Sequence, residues 1–199
     1  MTLFIVGVFL ILQTVITPAF EELELEAAHS DLVRADQAIQ TDIDNLAAVA
    51  LDWASWSDMY EYVSGRNPGF RSSNLDRTTL DNLGLDMMAV YDYAGSLRWS
   101  RLMFEGSEVP LEQLELLSAD NPTYQIITEH ATPEDFTAGI VDTALGPMIV
   151  NSRPILRNDN SGPVAGTLIM AQFLDGARLA RLRERTEVDM TWMLVEQYV

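Results

Sequence analysis

The stretch from Glu21 to about Val63 contains neither Pro nor Gly, and its apolar residues recur at steps of three or four. That period is typical of one amphipathic α-helix. About 43 residues at 1.5 Å per residue predict a helix roughly 64 Å long. Such a helix must pack on its own domain, on a second copy of the chain, or on both. The apolar positions are Leu25, Ala28, Leu32, Ala35, Ile39, Ile43, Leu46, Ala50, Trp53, Trp56 and Tyr60.

A membrane anchor is predicted ahead of this helix. The run from Thr2 to Phe20 carries no charge, and nineteen residues in a helix span about 28 Å, close to the thickness of the hydrocarbon core. A cleaved signal peptide is the alternative, but its apolar region is shorter and follows a basic leader. No Lys or Arg precedes the run, so charge alone does not orient it. The acidic residues that follow and the size of the remaining chain favour residues 1–20 as the anchor and residues 21–199 as an extracytoplasmic domain, periplasmic or extracellular.

Charge and cysteine content exclude several functions. The chain has 12 Arg, no Lys and 30 acidic residues, for a formal charge of −18. Such a surface repels nucleic acid phosphates, so we expect no nucleic acid partner. The absence of Cys excludes disulfides and thiolate sites, and His29 and His130 lie far apart in sequence. We therefore expect no metal site and no cofactor.

Beyond Val63 the periodicity changes to that of strands. We predict strands near residues 85–93, 97–104, 147–155, 164–172 and 188–195, and short helices over 75–83, 110–117 and 175–185. Asn74 is the expected N-cap of the first of these helices, and residues 121–140 are expected to mix loop and helix. The sum is an α+β domain, in which the long N-terminal helix packs on a five-stranded antiparallel sheet. This element order is similar to that of PAS-like and Cache-like sensor domains.

Residues 52–60 read DWASWSDMY, and this segment resembles the signature of the CHASE domain of the fourth type. Asp52, Trp53, Trp56, Asp58 and Tyr60 match it, whereas Ser57 stands where the family often has an acid. Weaker matches follow at residues 89–95, 152–155 and 162–170, so that the resemblance covers roughly residues 30 to 185.

The resemblance implies a prokaryotic extracytoplasmic sensory domain that detects a small ligand or an environmental cue. Family members signal across the membrane to an output module such as a diguanylate cyclase or a histidine kinase, and no such module is present in this chain. A membrane-tethered solute-binding or adaptor protein without signalling is the alternative, and a membrane-bound hydrolase is a third possibility. No His lies near Ser55, Ser57 and Asp58 to act as a base, so we expect no enzymatic activity.

Two groups of residues are candidates for a ligand pocket. On an ideal helix Trp53, Trp56 and Tyr60 fall within about 60° of one another, either as core packing or as one wall of a pocket. Arg98 and Arg153 lie on predicted strands and could each hold a ligand carboxylate in a bidentate pair. The alternative for both is an exposed arginine or an ordinary salt bridge.

The chain is also predicted to form a homodimer. The membrane-proximal part of the long helix carries apolar residues at coiled-coil spacing, and a lone projecting helix would expose them to water. Neighbouring acids oppose pairing, so we expect weak association that strengthens as salt screens the repulsion. The seam consists of Leu25, Ala28, Leu32, Ala35 and Ile39.

Overall fold

The computed structural model of the protein describes residues 13, 17–118, 120–130, 132–160 and 162–192. The predicted anchor, residues 2–20, lies mostly outside this part of the chain. Within the described residues no helix has the length and apolar character needed to cross a membrane. The chain divides into two compact units, one of Met1–Gln40 with Leu179–Val199, and one of Thr41–Arg178.

The elements follow the predicted helix-then-sheet order. The helices are α1 (Thr17–Ala54), α2 (Ser57–Val63), α3 (Phe70–Asn74), α4 (Arg77–Leu83), α5 (Thr123–Thr128) and α6 (Gly176–Thr186). A 3-10 turn covers Leu111–Leu114. The strands are β1 (Met87–Asp92), β2 (Leu97–Phe104), β3 (Ser107–Val109), β4 (Thr137–Val141), β5 (Met148–Pro154) and β6 (Gly166–Phe173).

The sheet is antiparallel throughout, in the order β3-β2-β1-β6-β5-β4. The α+β class and four of the predicted strands are confirmed, but the sheet has six strands and not five. The additional strands are the three-residue β3, which extends the β2 hairpin, and β4, which lies in the segment expected to be loop and helix. The strand predicted at residues 188–195 is wrong for residues 188–192, which are not strand. Residues 193–195 lie outside the described part.

The central strands β1, β5 and β6 are buried on both faces of the sheet. On one face, alternate residues of β1, β5 and β6 join side chains of the segment between β3 and β4 in one buried cluster, which includes Tyr91, Val150, Ile169, Leu114 and Ile127. The residues that alternate with them, such as Met88, Met170 and Asn151, are also buried. These central strands therefore lack the alternation of buried and exposed residues that marks a sheet with one solvent-exposed face.

The long helix predicted from Glu21 to Val63 is interrupted. Helix α1 ends at Ala54, and the carbonyl oxygen of Ala54 accepts a hydrogen bond from the backbone N–H of Leu156, at 2.8 Å. The backbone N–H of Ser57, the first residue of α2, donates to Asn158 Oδ1 at 2.5 Å. Groups that would extend the helix thus bond to the chain after β5, and no local sequence signal marks the break.

The short helix predicted at residues 75–83 begins at Arg77. Its N-cap is Asp76 rather than Asn74, because Asp76 Oδ1 accepts from the backbone N–H of Thr79 at 2.8 Å. Asn74 instead ends the preceding helix, where its side-chain amide donates to the carbonyl of Phe70 at 3.2 Å. The helix expected at residues 175–185 is confirmed.

Candidate functional site

The DWASWSDMY segment forms a junction between α1, α2 and the loop that joins β5 to β6. Ser57 and Asn158 bond reciprocally, since the backbone N–H of Asn158 donates to Ser57 Oγ at 3.2 Å in return for the bond that Asn158 Oδ1 accepts. Ser55 Oγ donates to Asn160 Oδ1 at 3.1 Å. The side chains of Asp52 and Asp58 are exposed beside this junction. The segment therefore fastens a loop to a helix break.

The aromatic residues of the signature do not form one helical stripe. Trp56 lies between the two helices with extended backbone angles, φ −95° and ψ 120°, so it is not part of one continuous helix with Trp53 and Tyr60. Its ring packs edge-on against Trp53, with centroids 5.6 Å apart, and against Phe70 of α3, at 5.1 Å. Tyr60 is buried, whereas Trp53 and Trp56 remain partly exposed.

Two arginine side chains lie over the ring of Tyr60. The guanidinium carbon of Arg157 lies 4.2 Å from the centre of the Tyr60 ring, and that of Arg66 lies 6.0 Å from it. Arg66 also pairs with Glu61, which lowers the pKa of that carboxyl group. These cation–π contacts occupy ring surface that a ligand would need. The geometry favours a packing role for this part of the signature.

A first cavity, of about 330 Å³, opens at the turn between β1 and β2. We call it the histidine cavity. Its polar lining comes from the end of β1, the end of α5 with the residues after it, and the start of β6. These residues are Asp92, Tyr93, Thr128, Glu129, His130 and Thr167.

Buried hydrogen bonds order one wall of the histidine cavity. Ser152 Oγ donates to the carbonyl of Ile127 at 2.6 Å, so its contact of 2.8 Å with His130 Nε2 requires the imidazole to donate. That tautomer leaves Nδ1 of His130 as an acceptor. Burial lowers the pKa of His130, Asp135 opposes this shift and Arg153 adds to it. At neutral pH the wall therefore presents an uncharged imidazole. Thr167 Oγ1 completes the wall by donating to the carbonyl of Thr128 at 2.8 Å.

A second cavity, of about 360 Å³, lies between the end of α2, helix α3 and the same β1–β2 hairpin. We call it the arginine cavity, because Arg71 and Arg98 both line it. The hydroxyl of Tyr62 donates to the carbonyl of Arg98 at 3.2 Å. Burial raises the pKa of Tyr62, and the positive charges of Arg71 and Arg98 oppose that shift. Arg98 Nη1 lies 3.8 Å from Asp92 Oδ2.

Arg153, the other arginine predicted for a ligand site, lines neither of these two cavities. Its guanidinium carbon lies 4.5 Å from the centre of the Phe136 ring, and burial lowers its pKa. Among the described residues its Nε atom has no hydrogen-bond partner, and neither do the two side-chain polar atoms of the fully buried Asn151. Arg98 and Arg153 are therefore not brought together, and their role in binding a carboxylate stays a prediction.

Sequence reasoning missed His130, Arg71 and Asn158 as site residues. His130 was considered only as a metal ligand, and its partner Ser152 is 22 positions away. No group of three or more His, Asp or Glu side chains within the described ranges is arranged to hold a metal ion.

A comparison with known protein families identifies the family of this domain. The model of the CHASE4 domain matches residues 38–192. The chain belongs to the CHASE4 domain family. This match confirms the resemblance carried by DWASWSDMY. CHASE4 domains are extracytoplasmic sensory domains of membrane signalling proteins.

The chain is similar in sequence to a histidine kinase and in fold to a sensor domain. The chain is 36% identical over 155 residues to the methanogenesis regulatory histidine kinase FilI of Methanothrix harundinacea, and the match covers 76% of this chain and 17% of that kinase. The fold is similar to that of the sensor domain of the V. cholerae histidine kinase DctB, with a TM-score of 0.57 and 11% identity over 84% of this chain and 61% of that chain. A weaker similarity, with a TM-score of 0.31 and 16% identity, links 74% of this chain to 64% of the periplasmic sensory domain of the Campylobacter jejuni chemoreceptor Tlp1.

Proposed function

We propose that this CHASE4 domain is the extracytoplasmic sensory part of a membrane-anchored signalling protein and binds a small molecule in the histidine cavity. The family match over residues 38–192 supports the sensory role. In this proposal residues 2–20 hold the domain at the membrane, the output module lies in another part of the protein, and the domain itself is not an enzyme.

The histidine cavity has the properties of a small-molecule site. Its volume of about 330 Å³ lies within the range of ligand pockets, which combine apolar walls with a few placed polar groups. The wall is ordered before any ligand arrives, because His130, Ser152 and Thr167 are fixed by buried hydrogen bonds. Pre-organisation of this kind lowers the entropic cost of binding.

The lining favours a ligand that donates hydrogen bonds. Asp92 and Glu129 contribute carboxylates, and His130 contributes a neutral imidazole whose Nδ1 atom accepts. Asp92 Oδ1 already accepts from the backbone N–H groups of Ala94 and Ser96, at 3.0 and 2.9 Å. Glu129 is therefore the less committed acceptor of the two. A small amine or polyhydroxy compound matches this set.

The path toward the membrane follows the chain from the cavity wall. Thr167 lies on β6, which continues through Leu174 and Asp175 into α6. Residues up to Gln40 and residues from Leu179 belong to the same compact unit. Within it, Arg185 Nη2 of α6 donates a hydrogen bond to the carbonyl of Ala38 in α1 at 2.7 Å. A ligand that binds one arrangement of β6 better than another would bias this helix pair.

Ligand binding is tested by a thermal-shift screen of the full chain against amines and polyhydroxy compounds. Glu129→Gln should weaken binding of a true ligand about tenfold, as expected when a charge-assisted hydrogen bond is lost. Glu134→Gln, an exposed acid outside the cavity, is the matched control and should have no effect. Signalling is tested by joining the chain ahead of the kinase region of FilI and measuring autophosphorylation with and without the ligand.

Each result bears on a different part of the proposal. A ligand that binds but leaves kinase activity unchanged would favour a solute-binding or adaptor protein. If no compound gives a saturable shift that depends on Glu129, the histidine cavity is not the sensory site. The anchor is tested separately by carbonate extraction of a C-terminally tagged chain, in which release into the soluble fraction would indicate a cleaved signal.

A further inference from the structure

We infer that the arginine cavity is a second binding site, which takes a small anion bearing a carboxylate or phosphate group. The chain has 30 acidic residues against 12 arginines, yet this cavity is lined by two arginines and by no acidic side chain. Two arginines that line one concave surface of so acidic a protein attract an anion electrostatically. Their donor forks match the geometry of carboxylate and phosphate oxygens.

Arg71 is the first of the two anion ligands. Its guanidinium makes no hydrogen bond and no ion pair with any residue in the described ranges. Most other arginines of the domain are engaged: Arg66 with Glu61, Arg101 with Glu108 and Arg178 with Asp86, for example. The donors of Arg71 are thus available to a ligand in the cavity that it lines.

Arg98 is the second ligand, and its present partner holds it weakly. The contact of 3.8 Å with Asp92 Oδ2 is longer than a hydrogen bond, and the Arg98 side chain is 42% exposed. The Asp92 side chain is 19% exposed, so the pair is partly exposed and, without a direct hydrogen bond, contributes little stability. An anion that bonds to both forks would therefore displace Asp92 at small cost.

Tyr62 is a third polar residue that lines the arginine cavity. Its ring is buried, and its hydroxyl hydrogen is committed to the carbonyl of Arg98. Both Arg71 and Arg98 line the same cavity as Tyr62, and their charges oppose the rise in the pKa of that hydroxyl group. An anion bound in the cavity would be attracted by both positive charges.

The β1–β2 turn lines both cavities. Asp92 and Gly95 border the histidine cavity, whereas Ser96 and Arg98 border the arginine cavity. Asp92 also accepts the two backbone hydrogen bonds that shape the turn. An anion that draws Arg98 away from Asp92 removes a contact from this turn. The arginine cavity therefore lies beside the histidine cavity, and binding in it changes the surroundings of Asp92, which lines the histidine cavity.

Titration of the full chain, in non-ionic detergent, with inorganic phosphate and with succinate tests this inference. Ionic strength is held constant with sodium chloride, and binding is followed by calorimetry. At least one of the two anions should bind saturably beyond the chloride baseline. Arg71→Gln and Arg98→Gln should each weaken that binding about tenfold, as expected for a charge-assisted bond lost to the ligand. Arg77→Gln, an exposed arginine outside the cavity, should leave it unchanged.

A variant that should strengthen anion binding, rather than weaken it, provides a further test. Asp92→Asn keeps an oxygen acceptor for the backbone N–H groups of Ala94 and Ser96 but no longer competes for Arg98. It should strengthen anion binding about two- to fivefold, a change of the size expected from a partly exposed ion pair that lacks a direct hydrogen bond. Asp81→Asn, which removes the exposed partner of Arg77, controls for the general loss of negative charge.

The outcomes distinguish a phosphate ligand, a carboxylate ligand and the absence of an anion site. Binding of phosphate alone indicates a phosphate ligand, and binding of succinate alone indicates a carboxylate. If phosphate and succinate act no differently from chloride, or if Arg71→Gln and Arg98→Gln bind as the parent does, the inference is overturned. Both arginines lie at a cavity surface, and unchanged circular dichroism melting of the variants will show that the fold is retained.

Discussion

Replacing Asn158 by Ala tests whether the DWASWSDMY junction holds the domain together. Asn158 Oδ1 accepts from the backbone N–H of Ser57 at 2.5 Å, at the start of a helix whose N-cap, Trp56, makes no side-chain cap bond. The variant removes this acceptor and leaves the first N–H of α2 to water. The reciprocal bond, from the backbone N–H of Asn158 to Ser57 Oγ, depends on the loop staying docked.

The expected loss is about 1 kcal/mol in the free energy of unfolding, the typical effect of removing a helix-capping side chain. Since the junction is solvent-accessible, water recovers part of the interaction, so a loss above about 2 kcal/mol is not expected. In a protein of this size 1 kcal/mol corresponds to a fall of about 2–4 °C in Tm.

Urea unfolding of the parent, Asn158→Ala, Ser57→Ala and the double variant measures the effect as a cycle. We expect the double variant to lose less than the sum of the single losses, by about 0.5 kcal/mol or more, because either change alone undocks the loop. Asn67→Ala, in another loop of the same unit, is the control. Strict additivity, or a stability of Asn158→Ala equal to that of the parent, would contradict the interpretation of the segment as a structural fastening.

Three further predictions concern the sheet, the histidine cavity and the long helix. Gly166→Ala should destabilise the domain by about 1–3 kcal/mol in urea, because its Cβ would lie 2.0 Å from the carbonyl oxygen of Tyr91 across the β1–β6 ladder, whereas Gly176→Ala, with open space around it, should be nearly neutral. Burial lowers the pKa of His130 below 6.5, so the unfolded chain binds the proton more tightly. The stabilisation from neutral His130 is therefore complete above pH 6.5 and is lost as pH falls through the folded pKa. Between pH 7.5 and pH 5 the parent should lose more unfolding free energy than His130→Gln does, and a stability difference that is independent of pH would contradict the expected effect of burial. The side chain of Leu32 in α1 is 68% exposed, and sedimentation of the full chain in detergent should show self-association that strengthens with salt and is abolished by Leu32→Asp; a strict monomer at every salt and protein concentration would count against the dimer.

Local sequence determined much of this protein. The period of three to four residues placed α1, because a helix that buries one side needs that spacing whatever it packs on. Runs rich in apolar residues between turn signals placed β1, β2, β5 and β6, and the order of elements was enough for the α+β class. The Trp, Asp and Tyr residues of DWASWSDMY identified the CHASE4 family, since that identification depends on residue types and not on their contacts.

Only the tertiary structure decided where the long helix breaks and which residues line the cavities. The break at Ser55 and Trp56 exists because Leu156 and Asn158, about 100 positions away, bond to the backbone groups that would continue the helix. His130 and Ser152 meet, and Arg71 joins Arg98, through the packing of separate elements. Such pairings depend on side chains far apart in sequence, and no local spacing encodes them. The same dependence makes residues 137–141 a strand, since an edge strand such as β4 is defined by the neighbour to which it bonds.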